Sequence, residues 1–238
     1  MSSSALTGGM LFAVLAGLSA FSARKRLPML PLGRASTWLL LHVVGGTLAA
    51  ALFCLHVRSA WPLGLYERAL ALAFYLATAS GAAGWVLQKI YPPLLTATGV
   101  EVLYERIPEE IAKLREQAEG LVLACTSETG SDTVARHYME SMDWFFRRPR
   151  FMASHALGGE SGKRWVRQRS QAAGRYVDEK ERVFLERLTR LAYYKNDVDF
   201  HHAAQSVMKG WLLIHVPLVA ALMALAVWHV VLASVYAL

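Results

Sequence analysis

The stretch "GWLLIHVPLVAALMALAVWHVVLASV", residues 210–235, decides how the rest of the chain is read. It is apolar throughout and longer than the roughly 20 residues that a helix needs to cross a hydrocarbon layer of about 30 Å. Two histidines, His215 and His229, nevertheless stand inside it. Ionisable groups in hydrocarbon are costly and mark function, so these two side chains pose the question that the other segments must answer.

The segment is one of several. The chain of 238 residues is 55% hydrophobic, and residues 1–23, 35–57, 69–88 and 211–238 contain no Asp, Glu, Lys or Arg. Each is about the length of a transmembrane helix. The expected fold is therefore all-α: an integral membrane four-helix bundle with a helical cytoplasmic insertion between the third and fourth spans. Residues 1–91 hold the first three spans, 92–208 the insertion and 209–238 the fourth span. The first segment carries its basic cluster, Arg24, Lys25 and Arg26, after the apolar stretch instead of before it, which reads as a retained anchor and not as a cleaved signal.

Lys and Arg positions orient the spans. Four lie in the connection 24–34, two in "RSAWPLGLYER" and nineteen in 89–209. By the positive-inside rule the first and third connections face the cytoplasm, with both termini outside, as in a prokaryotic inner (plasma) membrane. Trp38, Trp61, Trp85 and Trp211 fall near span ends, where an aromatic belt belongs.

The polar region reads as helical. "RIPEEIAKLREQAEGLVLAC" opens with a proline and two glutamates and continues apolar at helical spacing; "SDTVARHYMESMDWFF" and "DEKERVFLERLTRLAYY" follow the same pattern. Glycine-rich breaks around Gly130 and at 158–162 separate them. The two cysteines, Cys54 in a span and Cys125 in the polar region, make neither a disulfide framework nor an iron–sulfur motif.

Of eight histidines, four lie in spans: His42 and His56 in the second, His215 and His229 in the fourth, each pair separated by 14 residues. Fourteen helical steps return to within roughly 40° of the same face and climb about 21 Å. Spans two and four both start at the cytoplasmic side and run parallel, so His42 and His215 are expected at one depth and His56 and His229 at the other. A lone intramembrane histidine is more often a packing or proton-path residue. Two facing imidazoles at each of two depths are what two stacked, axially ligated haems need, whereas zinc favours four clustered ligands. Gly45, Gly46 and Ala49 clear bulk from the face of His42, and "SGAAG", with Gly81 and Gly84, smooths the third span. Small residues are also the ordinary means of close helix packing. Pro217 is expected to bend the fourth helix.

His-x13-His on the second and again on the fourth span resembles the di-haem core of the cytochrome b and b6 proteins, and is similar to the paired histidines of ferric reductase and NADPH oxidase membrane domains. The resemblance covers the spans. It implies that His42, His56, His215 and His229 are axial ligands of two non-covalent haem b groups; no Cys-x-x-Cys-His motif offers covalent attachment. Arg34, Arg58 and Lys209, at the membrane ends of the ligand helices, are expected beside haem propionates. The evenly spaced glycines of the family are replaced by Gly8, Gly9, Gly17, Gly81 and Gly84, and the insertion before the fourth helix is foreign to it, so the family's quinol chemistry is not carried over.

The expected function is a di-haem b-type cytochrome subunit that moves electrons across the membrane and performs no substrate chemistry by itself. Partners are an iron–sulfur or multihaem redox subunit, a quinone as small carrier, and the lipid membrane. "FFRRPRF" (145–151) and "GKRWVRQR" (162–169) place basic residues beside aromatics, suited to anionic lipid or an acidic redox partner, and equally to an ordinary basic surface. Nucleic acid is not expected, since the polar region carries little net charge. His201 continues the 14-residue ladder below His215, but its counterpart below His42 is Pro28, so no third haem is expected. Two other classes stay open: a proton channel or transporter with a histidine relay, and a haem-free membrane anchor. The lack of intramembrane Asp and Glu weighs against the relay, and the matched pairs against the anchor.

Overall fold

A computed structural model describes residues 3–24, 34–57 and 59–236. The described residues are almost wholly helical and contain no strand. Helix α1 spans Ser3–Arg24, α2 Ala35–His56 and α3 Leu65–Ala97. A short 3₁₀ turn, Tyr104–Arg106, leads into α4, Ile107–Thr129. Next come α5 (Thr133–His137), a π-helical turn (Tyr138–Met142) and α6 (Asp143–Phe146), then α7 (Met152–Ala156) and α8 (Ser161–Ala173). The last helix, α9, runs unbroken over 58 residues, Glu179–Tyr236.

Three of these helices, α2, α3 and α9, contain stretches long and apolar enough to cross a membrane, and Ala5–Ser19 of α1 is a shorter apolar stretch. The chain divides into two compact units, residues 1–88 with 210–238, and residues 89–209. The boundaries expected from charge alone, 91/92 and 208/209, fall inside α3 and α9. Helix α3 continues through Pro92 and Pro93, and α9 through Gly210 and Pro217.

In the first unit, α1 and α2 pack antiparallel. Gly45 approaches Leu18, where a Cβ would stand 2.8 Å from its Cδ2, and Gly8 approaches His56, where a Cβ would stand 2.7 Å from its Cε1. Phe53 of α2 stacks on Phe74 of α3 with centroids 4.0 Å apart. Tyr66 near the start of α3 donates its hydroxyl to the Leu225 carbonyl (2.6 Å), and Trp211 donates its indole N–H to the Ser80 carbonyl (2.7 Å), so α3 and α9 are antiparallel. The core holds Leu11, Ala49, Leu52, Phe53, Ala71, Phe74, Ala77 and Leu222. Around it, Leu40, Leu41, Leu55, Leu213, Ile214 and Trp228 turn their apolar side chains outward.

The second unit has a core of its own. Ile107, Ile111, Leu114, Ala118, Val122 and Cys125 recur at helical spacing on the buried face of α4. They join Phe145, Phe146, Val166, Leu188 and Val198 in one cluster. Helix α4 starts with Pro108, Glu109 and Glu110 and stops at Gly130, whose φ of 71° lets its N–H return to the Thr126 carbonyl (3.0 Å). Helix α9 starts on a reciprocal cap: Asp178 accepts from the Glu181 N–H (2.7 Å), and Glu181 accepts from the Asp178 N–H (3.1 Å).

Candidate functional site

All four histidines of the two 14-residue pairs belong to the first unit, on α2 and α9, and all four are half-buried. The imidazoles of His56 and His229 face each other across the helices, with ring centroids 6.4 Å apart and planes crossed at 86°. At the other end of the ladder His42 and His215 are within electrostatic reach of each other, as His56 and His229 are. Helices α2 and α9 are therefore parallel and in matched register. Midway between the tiers, Ala49 and Leu222, each seven residues from both histidines of its own helix, are buried in the core.

Each ring has a distinct setting. His229 stacks on Tyr66, centroids 6.2 Å apart and planes at 16°, while Tyr66 is held by its bond to Leu225. His56 lies over Gly8, and its Nδ1 is 3.4 Å from the Thr7 hydroxyl. His215 has the tightest arrangement: its Nδ1 is 2.8 Å from the Ser80 hydroxyl, and Trp211, one turn before it, lies flat on its ring at 5.2 Å.

The glycines divide by contact. Gly45 serves the close approach of α1, and Gly81 faces His215, with 3.6 Å between a built Cβ and the His215 Cε1. Gly84 lies beneath the indole of Trp211, where a Cβ would collide. Only Gly46, of the four, meets nothing within 4 Å. The smooth strip of α3 thus receives two side chains of α9.

Of the basic residues expected at propionates, Arg34 precedes α2 as its exposed N-cap, and Arg58 lies outside the described residues. Lys209 has an anionic partner within its own unit: its Nζ is 2.5 Å from Glu105 Oε1 and lies 3.9 Å from the Tyr104 ring centre.

Whether these residues suit an axially ligated metal can be tested on the His56–His229 spacing. Metal–imidazole bonds of about 2.0–2.1 Å, with roughly 1.1 Å more from ring nitrogen to ring centre on each side, put two axial centroids about 6 Å apart. The observed 6.4 Å fits that requirement. Among the described residues no cluster of three or more His, Cys, Asp or Glu side chains is placed to hold a metal ion.

The other four histidines belong to the second unit. His201 is hydrogen-bonded through Nε2 to Thr98 (2.8 Å), and His202 stacks on Tyr104 at 5.1 Å. The charge pattern did not disclose the polar centre of this unit. Lys195 and Asp199 form an ion pair at 2.7 Å with both side chains wholly buried. Lys195 also donates to the Arg148 carbonyl (2.8 Å) and lies 4.2 Å from the Phe145 ring centre; Asp199 accepts from the Arg150 N–H (3.1 Å). Burial pushes the lysine down and the carboxyl up from their ordinary values. The pair pins the loop before Phe151, which has the left-handed φ of 55°. "FFRRPRF" is consequently split in role: Phe145 and Phe146 are core, while Arg147 and Arg148 are exposed. In α8, Lys163, Arg164, Arg167 and Arg169 are exposed, whereas Trp165 packs on Phe145 at 5.1 Å.

No protein-family model, no curated protein and no solved structure matches this chain.

Proposed function

We propose that this chain is a membrane-embedded di-haem b-type cytochrome subunit of an oxidoreductase complex, moving electrons between a redox protein on one side and a second partner or a quinone on the other. The observation that carries the reading is the His56–His229 ring pair, at a spacing suited to axial ligation, with His42 and His215 within electrostatic reach of each other one 14-residue ladder step back on both helices. Packing alone has no reason to repeat an ionisable pair at equal intervals on two parallel apolar helices, given the cost of placing such groups in hydrocarbon.

The membrane part of the proposal rests on α2, α3 and α9, whose apolar stretches turn large aliphatic and aromatic side chains outward. Such a surface is unfavourable in water and favourable against lipid. With α1 these helices make the proposed four-helix bundle, the basic connections facing the cytoplasm.

His42 and His215 would hold one haem, His56 and His229 the other. Bound haem supplies one-electron chemistry at potentials set by axial ligation, burial and nearby charge. Leu222, Ala49, Phe53 and Phe74 belong to the buried apolar core of the helices that carry the tiers. Tyr66 and Trp211 restrict the rotation of His229 and His215 by lying against their rings. Charge transfer across such a bundle is worth about 2.3 kcal/mol per 100 mV of membrane potential. The exposed arginines of residues 147–148 and α8 suit an acidic docking partner, proposed to be an iron–sulfur or multihaem subunit.

The deciding measurement is a pyridine haemochrome assay on the purified chain with reduced and oxidised spectra. Two haem b per chain is the expected result. Absence of haem with histidine-dependent proton flux in vesicles would establish a relay instead, and absence of both an anchor.

A further inference from the structure

Ser80 of α3 holds two side chains of α9 at once. Its carbonyl accepts the Trp211 indole N–H at 2.7 Å, and its hydroxyl oxygen is 2.8 Å from His215 Nδ1. The same hydroxyl is 3.0 Å from the Ala77 carbonyl one turn back and donates to it. A serine hydroxyl has one proton. Given to the Ala77 carbonyl, which can only accept, that proton leaves Ser80 Oγ to accept from His215, an arrangement in which Nδ1 carries the imidazole hydrogen and Nε2 the lone pair.

We infer that Ser80 is the positioning residue for His215: it selects the Nε2-ligating tautomer, fixes the ring direction together with Trp211, and lowers the midpoint potential of the haem held at the His42–His215 tier relative to a serine-free site. This rests on the cytochrome reading. The physical cause is that a histidine donating its second N–H to an acceptor is the more basic ligand. A more basic ligand favours the ferric state, so the acceptor lowers the potential and its removal raises it. The effect acts at the tier that Ser80 bonds, that of His215.

The test uses full-length chain carrying Ser80→Ala, Ser80→Thr and Ser80→Cys, with redox titration followed optically and haem counted by haemochrome. Ser80→Ala is expected to keep both haems and to shift upward the midpoint of the haem that His215→Ala removes, leaving the other midpoint in place. Ser80→Thr, which keeps the hydroxyl, should return the wild-type value. Ser80→Cys, a weaker acceptor of similar size, should fall between, and it stands in should the alanine variant not accumulate. A tautomer readout independent of redox is the ¹⁵N spectrum of His215 in haem-free chain, expected as Nδ1–H in wild type and as a tautomer mixture in Ser80→Ala. Both haems present with unchanged midpoints, or an Nε2–H tautomer in wild type, overturns the role of Ser80 while leaving the cytochrome reading intact. A wild-type chain without haem overturns both.

Discussion

Gly84 is the floor on which Trp211 lies: a Cβ at residue 84 would fall on the indole ring, which in turn is stacked on His215. Overpacking a fitted contact costs about 1–3 kcal/mol. Gly84→Ala should therefore lower the thermal midpoint of the detergent-solubilised chain and change its tryptophan emission. Gly46→Ala, with nothing within 4 Å of its Cβ, should stay within roughly 0.5 kcal/mol of wild type. Equal midpoints for the two variants would show that Trp211 is not seated on Gly84.

The register of α2 against α9 makes a pairwise prediction about loss of haem. His42→Ala and His215→Ala should abolish the same component of the redox titration, and His56→Ala and His229→Ala the other, since His56 and His229 face each other at 6.4 Å. Removal of one component by His42→Ala and of the other by His215→Ala would refute the parallel arrangement.

The buried Lys195–Asp199 pair should behave asymmetrically on mutation. Removing one partner leaves an uncompensated buried charge and costs about 3–5 kcal/mol, whereas replacing both by apolar residues of similar volume is often neutral or stabilising. Lys195→Met and Asp199→Leu alone should each lower stability strongly in chemical denaturation, and the double variant should recover most of the loss. Additive losses in the double variant would mean that the pair is not the unit that matters.

His155 sets a pH dependence with a definite sign. Burial, helped by Lys195 and Lys163, pushes its imidazole down to about 4 from an ordinary value near 6.5. Its folded value lies below its unfolded one, so the unfolded chain binds the extra proton; the stability contributed by the neutral ring is complete above about 6.5 and is lost as pH falls toward 4. At about 1.4 kcal/mol per pKa unit the loss is on the order of 3 kcal/mol. Denaturation of wild type and His155→Leu across that window should show the slope shrinking in the variant. Parallel curves would place the acid sensitivity in other groups.

Much of the architecture was legible in the linear chain because its causes are local. Charge-free runs and helical spacing announce α2, α3 and the apolar part of α9, and Pro108, Glu109 and Gly130 mark the ends of α4. The 14-residue interval of His42–His56 and His215–His229 is likewise a property of one helix at a time, fixed by 3.6 residues per turn. What stayed hidden is non-local. Lys195 and Asp199, four residues apart, look like an exposed helical pair; the loop carrying Arg148 and Arg150, folded over them with Phe145, is what buries them. The lengths of α3 and α9 were hidden because hydropathy changes along each helix, and prolines stand inside both, while the helical backbone continues. Ser80 was read only as part of a small-residue strip. Its bond to His215 exists because α3 and α9 come together antiparallel in one register, and a hydrogen bond depends on that distance and direction, which no spacing within either helix determines.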